Sequence, residues 1–360
     1  MARVRLSFAK RQGRMLEAAK SSRGSWTERS GLLVWVKDEA GRIGRGEASP
    51  LPGFSPDTVE ESVLALQAVD VGGLREHVEP DAVREQLGAI EALIDPALPA
   101  ACFALQTALL DLWAQRQKQP VWRLLELAFG RPAAERLPLA AWIQGESEAQ
   151  LCAAAERALE RGIRTLKLKL AGPRDLESDL GRFQVLRRFV GDDVALRFDA
   201  NGAFEQGQAL GMLQALAPLQ PEFVEEPVAG GGSIKLEHCP VPLALDESLL
   251  THPVSGTDFG AVRVLVLKPT LLGGFSRAAA LRERATELGL DCVVSHTLEG
   301  PVALCAAAHL ALVIGSPGRA QGLDRHPGLS AWKNMELGMV NGAHVERLDK
   351  AGLGLEGCGS

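Results

Sequence analysis

Several features that mark membrane, secreted and nucleic-acid-binding proteins are missing from this sequence. No stretch reaches the roughly 18 uninterrupted apolar residues of a membrane span, and the basic N-terminus MARVRLSFAKRQGR has no continuous apolar core of a signal peptide. An excess of basic charge is also missing, because the formal net charge is −6 and the pI is about 5.8. We therefore expect a cytoplasmic protein with no membrane partner and no nucleic-acid partner.

The cysteines lack the paired spacing of a zinc site or a redox motif. None of the six belongs to a CxxC motif, and most lie within apolar segments. This distribution is typical of reduced thiols in the core of a cytosolic protein and predicts no zinc site. The six are Cys102, Cys152, Cys239, Cys292, Cys305 and Cys358.

The first third of the 360-residue chain has the pattern of a small α+β domain. The segment GLLVWVKDEAGRIGRGEAS alternates around the turn DEAG and predicts an antiparallel hairpin, followed by the loop PLPGFSPD. Next, SPDTVEESVLALQAV predicts a helix capped by Ser55 or Asp57. A second, more deeply buried helix is predicted for ACFALQTALLDLWAQRQ. We assign this domain to residues 1–132.

Residues 133–324 instead alternate short apolar runs with helical stretches. The runs are LPLAAW, TLKLKL, VALRFD, EFVEE, VPLALD, VRVLVLK, LDCVVS and RAQGLD. About eight such units predict a parallel sheet closed into an α/β barrel, and the segment after LALDES has almost no helical pattern. The tail 325–360 contains a hairpin-like sequence, SAWKNMELGMVNGAHVERL, which we expect to pack back on the first domain.

Acidic residues end three successive runs of the predicted barrel, at Asp199, Glu225 and Asp246. The C-termini of parallel barrel strands open into one shared mouth, so these side chains are expected to converge. Each alone could be a solvated acid or a helix N-cap, but three together would repel one another without a cation between them. All-oxygen ligands favour Mg²⁺, and the sequence therefore predicts a magnesium site.

Lysines end the runs on either side of these acids. Lys167 and Lys169 project the same way from one strand, and Lys268 enters from the far side. A KxK pair also marks solvated edge strands, but an internal strand would bury both lysines. A buried lysine with a lowered pKa can act as a general base, and repulsion from Lys167 would help lower the pKa of Lys169. We infer abstraction of a proton α to a carboxylate of a small molecule.

The runs KLK, RFDAN, VEEP, ALDES and LKPTLLGG resemble the muconate-lactonizing-enzyme-like subgroup of the enolase superfamily over nearly the whole chain. The resemblance implies a modified (β/α)7β TIM barrel with an α+β N-terminal capping domain. It implies that Asp199, Glu225 and Asp246 bind Mg²⁺, with Mn²⁺ as a substitute ion. It also implies Lys169 as the acid/base, Lys268 as the group that stabilises an enediolate, and Lys167 as an electrostatic helper. Arg197 resembles an arginine found in active sites of this family, which implies that it contacts the substrate.

The cap segment GRGEASPLPGFSPDTVEE resembles a loop of the o-succinylbenzoate synthases of menaquinone biosynthesis. That likeness implies dehydration of 2-succinyl-6-hydroxy-2,4-cyclohexadiene-1-carboxylate to 2-succinylbenzoate, a carbon–oxygen lyase reaction. The alternatives are an N-acylamino acid racemase or dipeptide epimerase of the same superfamily, and a catalytically silent barrel. Five charged residues in one barrel mouth argue against the silent barrel, because idle charges there would only cost stability.

Further substrate contacts are expected from the last strands and from the cap. His296, within VVSHTLEGPVA, is expected to be a hydrogen-bonding pocket residue near the succinyl group, and Ser295 and the backbone around Gly322 are the other candidates for that contact. A histidine on this strand is the base in mandelate-racemase-like members, which is the alternative role. Phe54 of the cap loop is expected to form part of a lid. The sequence leaves open whether the protein is a monomer or a homo-oligomer.

Overall fold

The N-terminal third builds an antiparallel sheet. A computed structural model describes residues 4–21, 24–236, 238–252, 254, 259–332 and 337–355. Its first strands are β1 (Arg5–Ser21), β2 (Gly24–Lys37) and β3 (Ile43–Ala48), paired in the order β1-β2-β3. The predicted hairpin is confirmed as β2 and β3, with a turn closed by the Asp38 N–H donating to the Arg42 carbonyl at 3.1 Å. Strand β1, which pairs along most of β2, was not predicted.

Four helices follow the sheet in the chain: α1 (Val59–Ala68), α2 (Val83–Glu91), α3 (Pro99–Gln117) and α4 (Val121–Phe129). Of these, α1 and α3 pack on the strands, and α2 and α4 pack on α3. Helix α3, predicted to be deeply buried, lies directly against β3. Gly44 and Gly46 permit this approach, because an added Cβ would fall about 2 Å from the carbonyl oxygens of Ala108 and Ala104.

The N-cap predicted for α1 is wrong. Thr58, and neither Ser55 nor Asp57, caps the helix through a capping box with Glu61. The same S/T/D-x-x-E spacing fits Asp57 and Glu60, so the local pattern alone does not separate the two registers. Asp57 instead accepts a hydrogen bond from the Ala100 N–H at 2.9 Å, at the beginning of α3.

The second part of the chain forms a parallel barrel. Within the described residues, seven strands lie in the order β11-β10-β9-β8-β7-β6-β5. They are β5 (Ala140–Trp142), β6 (Thr165–Lys169), β7 (Ala195–Asp199), β8 (Phe223–Glu225), β9 (Leu243–Leu245), β10 (Val262–Leu267) and β11 (Asp291–Val294). An eighth segment closes the ring, because Gln321 bridges Leu139 and Gly322 bridges Ser295, both in parallel. The predicted fold class is confirmed, with RAQGLD reduced to these two bridges.

Helices surround the barrel between its strands. They are α5 (Glu148–Glu160), α6 (Leu176–Val190), α7 (Gln206–Leu216), α8 (Ser248–Thr251), α9 (Pro269–Leu272), α10 (Phe275–Glu287) and α11 (Pro301–Ile314). The one-turn α8 agrees with the weak helical pattern after LALDES. Inside the barrel, a separate apolar cluster of Phe223, Ala244, Val264, Val266 and Val293 fills the floor. Because side chains alternate along a strand, residues two positions further on point into the mouth above this floor.

The C-terminal tail returns across both parts of the molecule. Strands β12 (Val340–Asn341) and β13 (His344–Glu346) form the predicted hairpin, and β13 pairs with β4 (Arg136–Pro138) ahead of the barrel. Further on, the Leu353 N–H donates to Asp111 of α3 at 2.9 Å. Residues 333–336 of the hairpin-like sequence lie outside the described residues. The boundaries at 132/133 and 324/325 stay predictions.

The helices and cysteines can be compared with the sequence-based expectations. No helix within the described parts of the chain is both long enough and apolar enough to cross a membrane. The five described cysteines are free thiols, and Cys358 lies outside the described residues.

Candidate active site

Three strand ends bring their carboxylates together at the barrel mouth. Asp199 ends β7, Glu225 ends β8, and Asp246 follows β9 directly. Asp199 and Glu225 are register partners in the sheet. One oxygen from each of the three carboxylates lies within 4.8 Å of the others, and all three residues are at most 3% exposed. The predicted convergence is therefore found, and these residues form an acidic triad that could bind a metal ion.

Glu226, next in the chain to Glu225, binds the loop after β9 and does not join the triad. Its carboxylate accepts hydrogen bonds from the backbone N–H groups of Asp246, at 2.8 Å, and Ser248, at 3.1 Å, and it also bonds the Ser248 hydroxyl. These contacts fix the loop that carries Asp246. Glu226 thus faces away from the triad, as the alternation of side chains predicts.

The three lysines contact the triad directly. Lys167 Nζ lies 2.8 Å from Asp199 and 2.7 Å from Glu225, while Lys268 Nζ contacts Asp246 and lies 3.9 Å from Glu225. Lys169 Nζ donates to Asp199 Oδ2 at 3.0 Å. The buried ammonium of Lys268 and the half-buried ammonium groups of Lys167 and Lys169 therefore each have an acidic partner, which offsets much of their desolvation cost.

Lys169 differs electrostatically from its two neighbours. Burial lowers its pKa, and repulsion from Lys167 and Lys268 lowers it further against the attraction of Asp199. For Lys268, the attraction of Asp246 and Glu225 outweighs burial and raises the pKa. Lys169 is thus the lysine best suited to give up and take back a proton near neutral pH.

Asn201 is a site residue to which sequence reasoning gave no role. Its Oδ1 accepts from Lys169 Nζ at 2.8 Å, and its Nδ2 donates to Glu247 Oε1 at 3.0 Å. The Asn201 amide therefore acts together with Asp199 to orient the Lys169 ammonium. The sequence contains a pattern that indicates Asn201: Arg197, Asp199 and Asn201 are spaced by two, as residues on one face of a strand are.

Arg197 lines the barrel interior, but its guanidinium is already hydrogen-bonded to other groups of the protein. It donates to Glu222 at 2.6 Å and to the Ala320 carbonyl at 2.7 Å, and it stacks over the Phe223 ring at 4.6 Å. These contacts place it below the triad, near the apolar floor. Its predicted role as a substrate contact stays a prediction.

A cavity of about 750 Å³, measured with its opening to solvent, lies above the lysines. Its walls include all five predicted substrate contacts: Phe54, Arg197, Ser295, His296 and Gly322. The Phe54 ring lies 4.9 Å from Lys268 Nζ, and the ring of Trp142 lies 5.9 Å from Lys169 Nζ. Trp142 was not predicted, although it ends the first barrel strand and so belongs to the same mouth.

Two residues of β2 hold the cap loop over this cavity. The Arg29 guanidinium donates to the carbonyls of Ser49, at 2.6 Å, and Pro50, at 3.0 Å, and also to Leu298 of the barrel at 2.7 Å. Trp26 Nε1 donates to the Pro52 carbonyl at 2.9 Å. The loop that carries Phe54 is therefore fixed to both domains. Neither residue had a recognisable sequence signal, since each acts through backbone carbonyls distant in sequence.

Family models account for most of the chain. Residues 7–126 match the mandelate racemase / muconate lactonizing enzyme N-terminal domain, and residues 150–358 match the enolase C-terminal domain-like family. The chain belongs to the enolase superfamily. This enolase-superfamily protein is 30% identical over 329 residues to an o-succinylbenzoate synthase from Vibrio cholerae, which covers 87% of this chain and 88% of the relative.

Relatives with other activities are similarly near. An N-succinylamino acid racemase from Thermus thermophilus is 29% identical over 320 residues, covering 85% of this chain and 82% of the relative. Among solved structures, the substrate-liganded L-Ala-D/L-Glu epimerase from Bacillus subtilis aligns over all of both chains with a TM-score of 0.84 and 24% identity. Identity at this level shows the superfamily and its fold and does not separate the reactions.

Magnesium, the metal used by enolase-superfamily members, fits the residues present. The triad offers only oxygen ligands, and its three carboxylates are buried on adjacent strand ends. Lys167, Lys169 and Lys268 counter burial and hold the pKa of Asp199 well below its usual range, so this ligand is ionised. Asp199, Glu225 and Asp246 would hold the ion, and Glu226 would support the loop behind Asp246.

Proposed function

We propose that this enolase-superfamily protein is an o-succinylbenzoate synthase of the muconate-lactonizing-enzyme-like subgroup. It would dehydrate 2-succinyl-6-hydroxy-2,4-cyclohexadiene-1-carboxylate to 2-succinylbenzoate, a carbon–oxygen lyase reaction of menaquinone biosynthesis. Support comes from the relative in Vibrio cholerae and from the cap segment GEASPLPGFS, whose Leu51 and Phe54 line the cavity.

The lack of an available carboxylate among the described residues of the cavity wall is the observation that carries this proposal. Glu225 of the triad is the one carboxylate among its described lining residues, and it already lies 2.7 Å from Lys167 and 3.9 Å from Lys268. Asp324, just beyond the closing strand segment, is paired with Arg161 at 2.8 Å. A dipeptide brings a free ammonium group that needs an acidic partner, whereas a substrate with two carboxylates does not. The wall therefore favours the dianionic cyclohexadiene over a dipeptide.

The lysines can perform the dehydration as a single-base reaction. Neutral Lys169 removes the proton α to the ring carboxylate, and the electron pair of that C–H bond moves into an enediolate. The C–O bond to the ring hydroxyl then breaks, and protonated Lys169 delivers its proton to the departing oxygen, so that water leaves. Asn201 and Asp199 hold the Lys169 ammonium for the second step.

Lys268 remains protonated throughout, since Asp246 and Glu225 raise its pKa, and its positive charge stabilises the enediolate. A bound Mg²⁺ would supply further electrostatic stabilisation to the ionised substrate carboxylate. Leu51, Phe54, Trp142 and Leu298 form apolar walls that exclude water and pack against the substrate ring. Aromatisation of the ring supplies the driving force.

The test is to incubate the purified protein with Mg²⁺ and the cyclohexadiene substrate and to follow substrate loss by absorbance. We expect turnover by the wild type and a loss of at least about a hundredfold in Lys169→Ala. Lys235→Ala, a substitution outside the site, serves as the control. Inactive wild-type protein, or full activity in Lys169→Ala, would exclude the proposal.

Racemisation of N-succinyl amino acids is the second candidate. Lys169 and Lys268 approach the triad from its two ends, which would allow one lysine on each face of an α-carbon. The N-succinyl group removes the free ammonium, so the charge of the wall does not disfavour this substrate. Deuterium exchange at the α-carbon in D₂O, without turnover of the cyclohexadiene, would place racemisation first.

A further inference from the structure

Two histidines stack at the wall of the cavity formed by the last strand segments. His296 follows β11, and its backbone N–H donates to the Gly322 carbonyl at 3.0 Å. The ring of His326 lies behind it, with the two ring centroids 4.1 Å apart and the planes tilted by 41°. His296 lines the cavity, whereas His326 is only 6% exposed.

Hydrogen bonding defines which nitrogen of His296 carries the proton. Its Nδ1 accepts from the Leu298 N–H at 3.3 Å, so in the neutral ring the proton resides on Nε2. Burial lowers the pKa of His296 well below its usual value, and repulsion from His326 and from the ammonium groups of Lys167, Lys268 and Lys169 lowers it further. His296 is therefore a neutral donor through Nε2–H.

The order of the strands sets His296 across the barrel from Asp199 of the triad. Counting around the ring from β5, Asp199 stands on the third strand and His296 at the end of the seventh of eight positions. Opposite strands of a closed barrel face each other across its mouth. A substrate with one carboxylate at the triad would therefore extend its far end toward His296.

We propose that His296 donates an Nε2–H hydrogen bond to an oxygen at the far end of the substrate, and that His326 is the positioning residue that holds the donor ring in place. This inference rests on the proposed function, in which the far end is the succinyl chain with its ketone and carboxylate oxygens. It specifies the substrate class as an acid with a second acceptor group remote from the ionised α-carboxylate.

His326 is buried, lacks hydrogen-bond partners within the described part of the chain and stays neutral. These properties suit a ring that packs against His296. Neither of its ring nitrogens has a hydrogen-bond partner among the described residues, although both are buried. A buried polar group without a hydrogen-bond partner lowers the stability of the folded state, so stability alone does not explain the histidine. Burial and the nearby charge of Arg29 lower the pKa of His326 to about 3. The ring thus supports His296 without adding positive charge beside the lysines.

The experiment compares binding of 2-succinylbenzoate and benzoate to the Mg²⁺-loaded protein by calorimetry. Both ligands carry the ring carboxylate, and only the first has the succinyl chain. We expect His296→Phe, which keeps an aromatic ring but removes the donor, to weaken 2-succinylbenzoate binding about tenfold and to leave benzoate unchanged. His296→Gln restores part of the loss through its amide N–H. His77→Phe, at an exposed position, is the matched control.

His326 is tested through the same ratio of affinities and through the tautomer of His296. His326→Phe preserves stacking and should retain the preference for 2-succinylbenzoate within about twofold, whereas His326→Ala should lose it. In the double variant with His296→Phe, His326→Ala should add no further loss. Nitrogen NMR should show the Nε2–H form of His296 in the wild type and in His326→Phe, and a mixture of tautomers in His326→Ala.

Three results would overturn the inference: no preference for 2-succinylbenzoate in the wild type, an unchanged preference in His296→Phe, or equal weakening of both ligands in His326→Ala. Failure of the proposed function is distinguishable on the same preparations. A protein that keeps the histidine-dependent preference but does not dehydrate the cyclohexadiene would refute the synthase assignment alone.

Discussion

The Phe54 ring of the cap lies 4.9 Å from the Lys268 ammonium of the barrel. The contact joins the loop that closes the cavity to the charge that faces the reacting carboxylate. A cation over an aromatic face is stabilised by the ring while water is excluded from that side. The cap therefore contributes directly to the electrostatic environment of the site.

Removing this ring should impair catalysis with little effect on folding. We expect Phe54→Ala to lower kcat/KM for the dehydration by about 3- to 30-fold, as the cation–π contact is lost and water reaches Lys268. Phe54→Leu should retain the apolar cover and lose less. Phe189→Ala, at a half-exposed surface position, is the control. Equal kinetics for Phe54→Ala and the wild type would contradict the role given to the ring.

Metal binding should be visible as thermal stabilisation. A ligand that binds only the folded state stabilises it by about 2.7 kcal/mol at a hundred times its Kd, so Mg²⁺ should raise the Tm of the wild type. Mn²⁺ should act similarly, and a chelator should reverse the shift. Glu225→Gln should abolish the Mg²⁺-dependent increment, whereas Glu205→Gln, exposed on the barrel, should retain it. A persistent increment in Glu225→Gln would count against the triad as the metal site.

Glu47 should matter for stability. Its buried carboxylate accepts hydrogen bonds from the backbone N–H groups of Gly300, Val302 and Ala303 at the beginning of α11, so it joins the cap to the barrel. Glu47→Ala would leave these donors unsatisfied, and we expect a loss of about 2–4 kcal/mol in the free energy of unfolding. Glu47→Gln should lose less because it keeps one acceptor oxygen. Denaturant unfolding measures the free energy of unfolding of both variants and of Glu60→Ala, the exposed control. A loss in Glu47→Ala no larger than in Glu60→Ala would contradict the prediction.

His309 should make stability depend on pH. Its Nδ1 accepts from the Trp122 N–H at 3.1 Å, its Nε2 donates to the Leu353 carbonyl at 3.3 Å, and burial lowers its pKa to about 4. The unfolded chain binds this proton with a pKa near 6.5, so between pH 6.5 and 4 the unfolded state holds more protons. Stability from this group is complete above pH 6.5 and falls by about 3 kcal/mol as the pH drops through that window.

Urea unfolding at pH 7.5 and pH 5 measures this dependence. The difference in free energy between the two pH values should shrink in His309→Gln and stay unchanged in His77→Gln, whose imidazole is exposed. A pH dependence in His309→Gln that equals the wild type would show that other groups control acid stability.

The barrel and its charged mouth were predictable because both depend on patterns local to each strand. Once the repeated runs indicate a barrel, an apolar run that ends in Asp199 or Glu225 places that carboxylate at the mouth. Strand β1 was not predictable in this way. Its sequence RLSFAKRQGRMLEAAKS is rich in charged residues and half exposed, so its structure depends on pairing with β2.

The residues that shape the cavity depend on contacts between distant parts of the chain. Arg29 acts on the loop of Pro50 and on Leu298, which lie 21 and 269 positions away. Nothing near Arg29 in the sequence indicates either partner. The role proposed for His326 likewise depends on its contact with the ring of His296, which is 30 positions away in the sequence. Local patterns therefore predict what chemistry the barrel can perform, whereas selection among substrates depends on tertiary contacts.

The cap loop is held at both ends. On one side Glu47 and Arg29 tie its beginning to the barrel, and on the other Asp57 binds the first turn of α3. The six residues between Pro50 and Asp57 therefore reach the cavity from two fixed ends, so that Leu51 and Phe54 present their side chains to the substrate space from a loop whose position both domains determine.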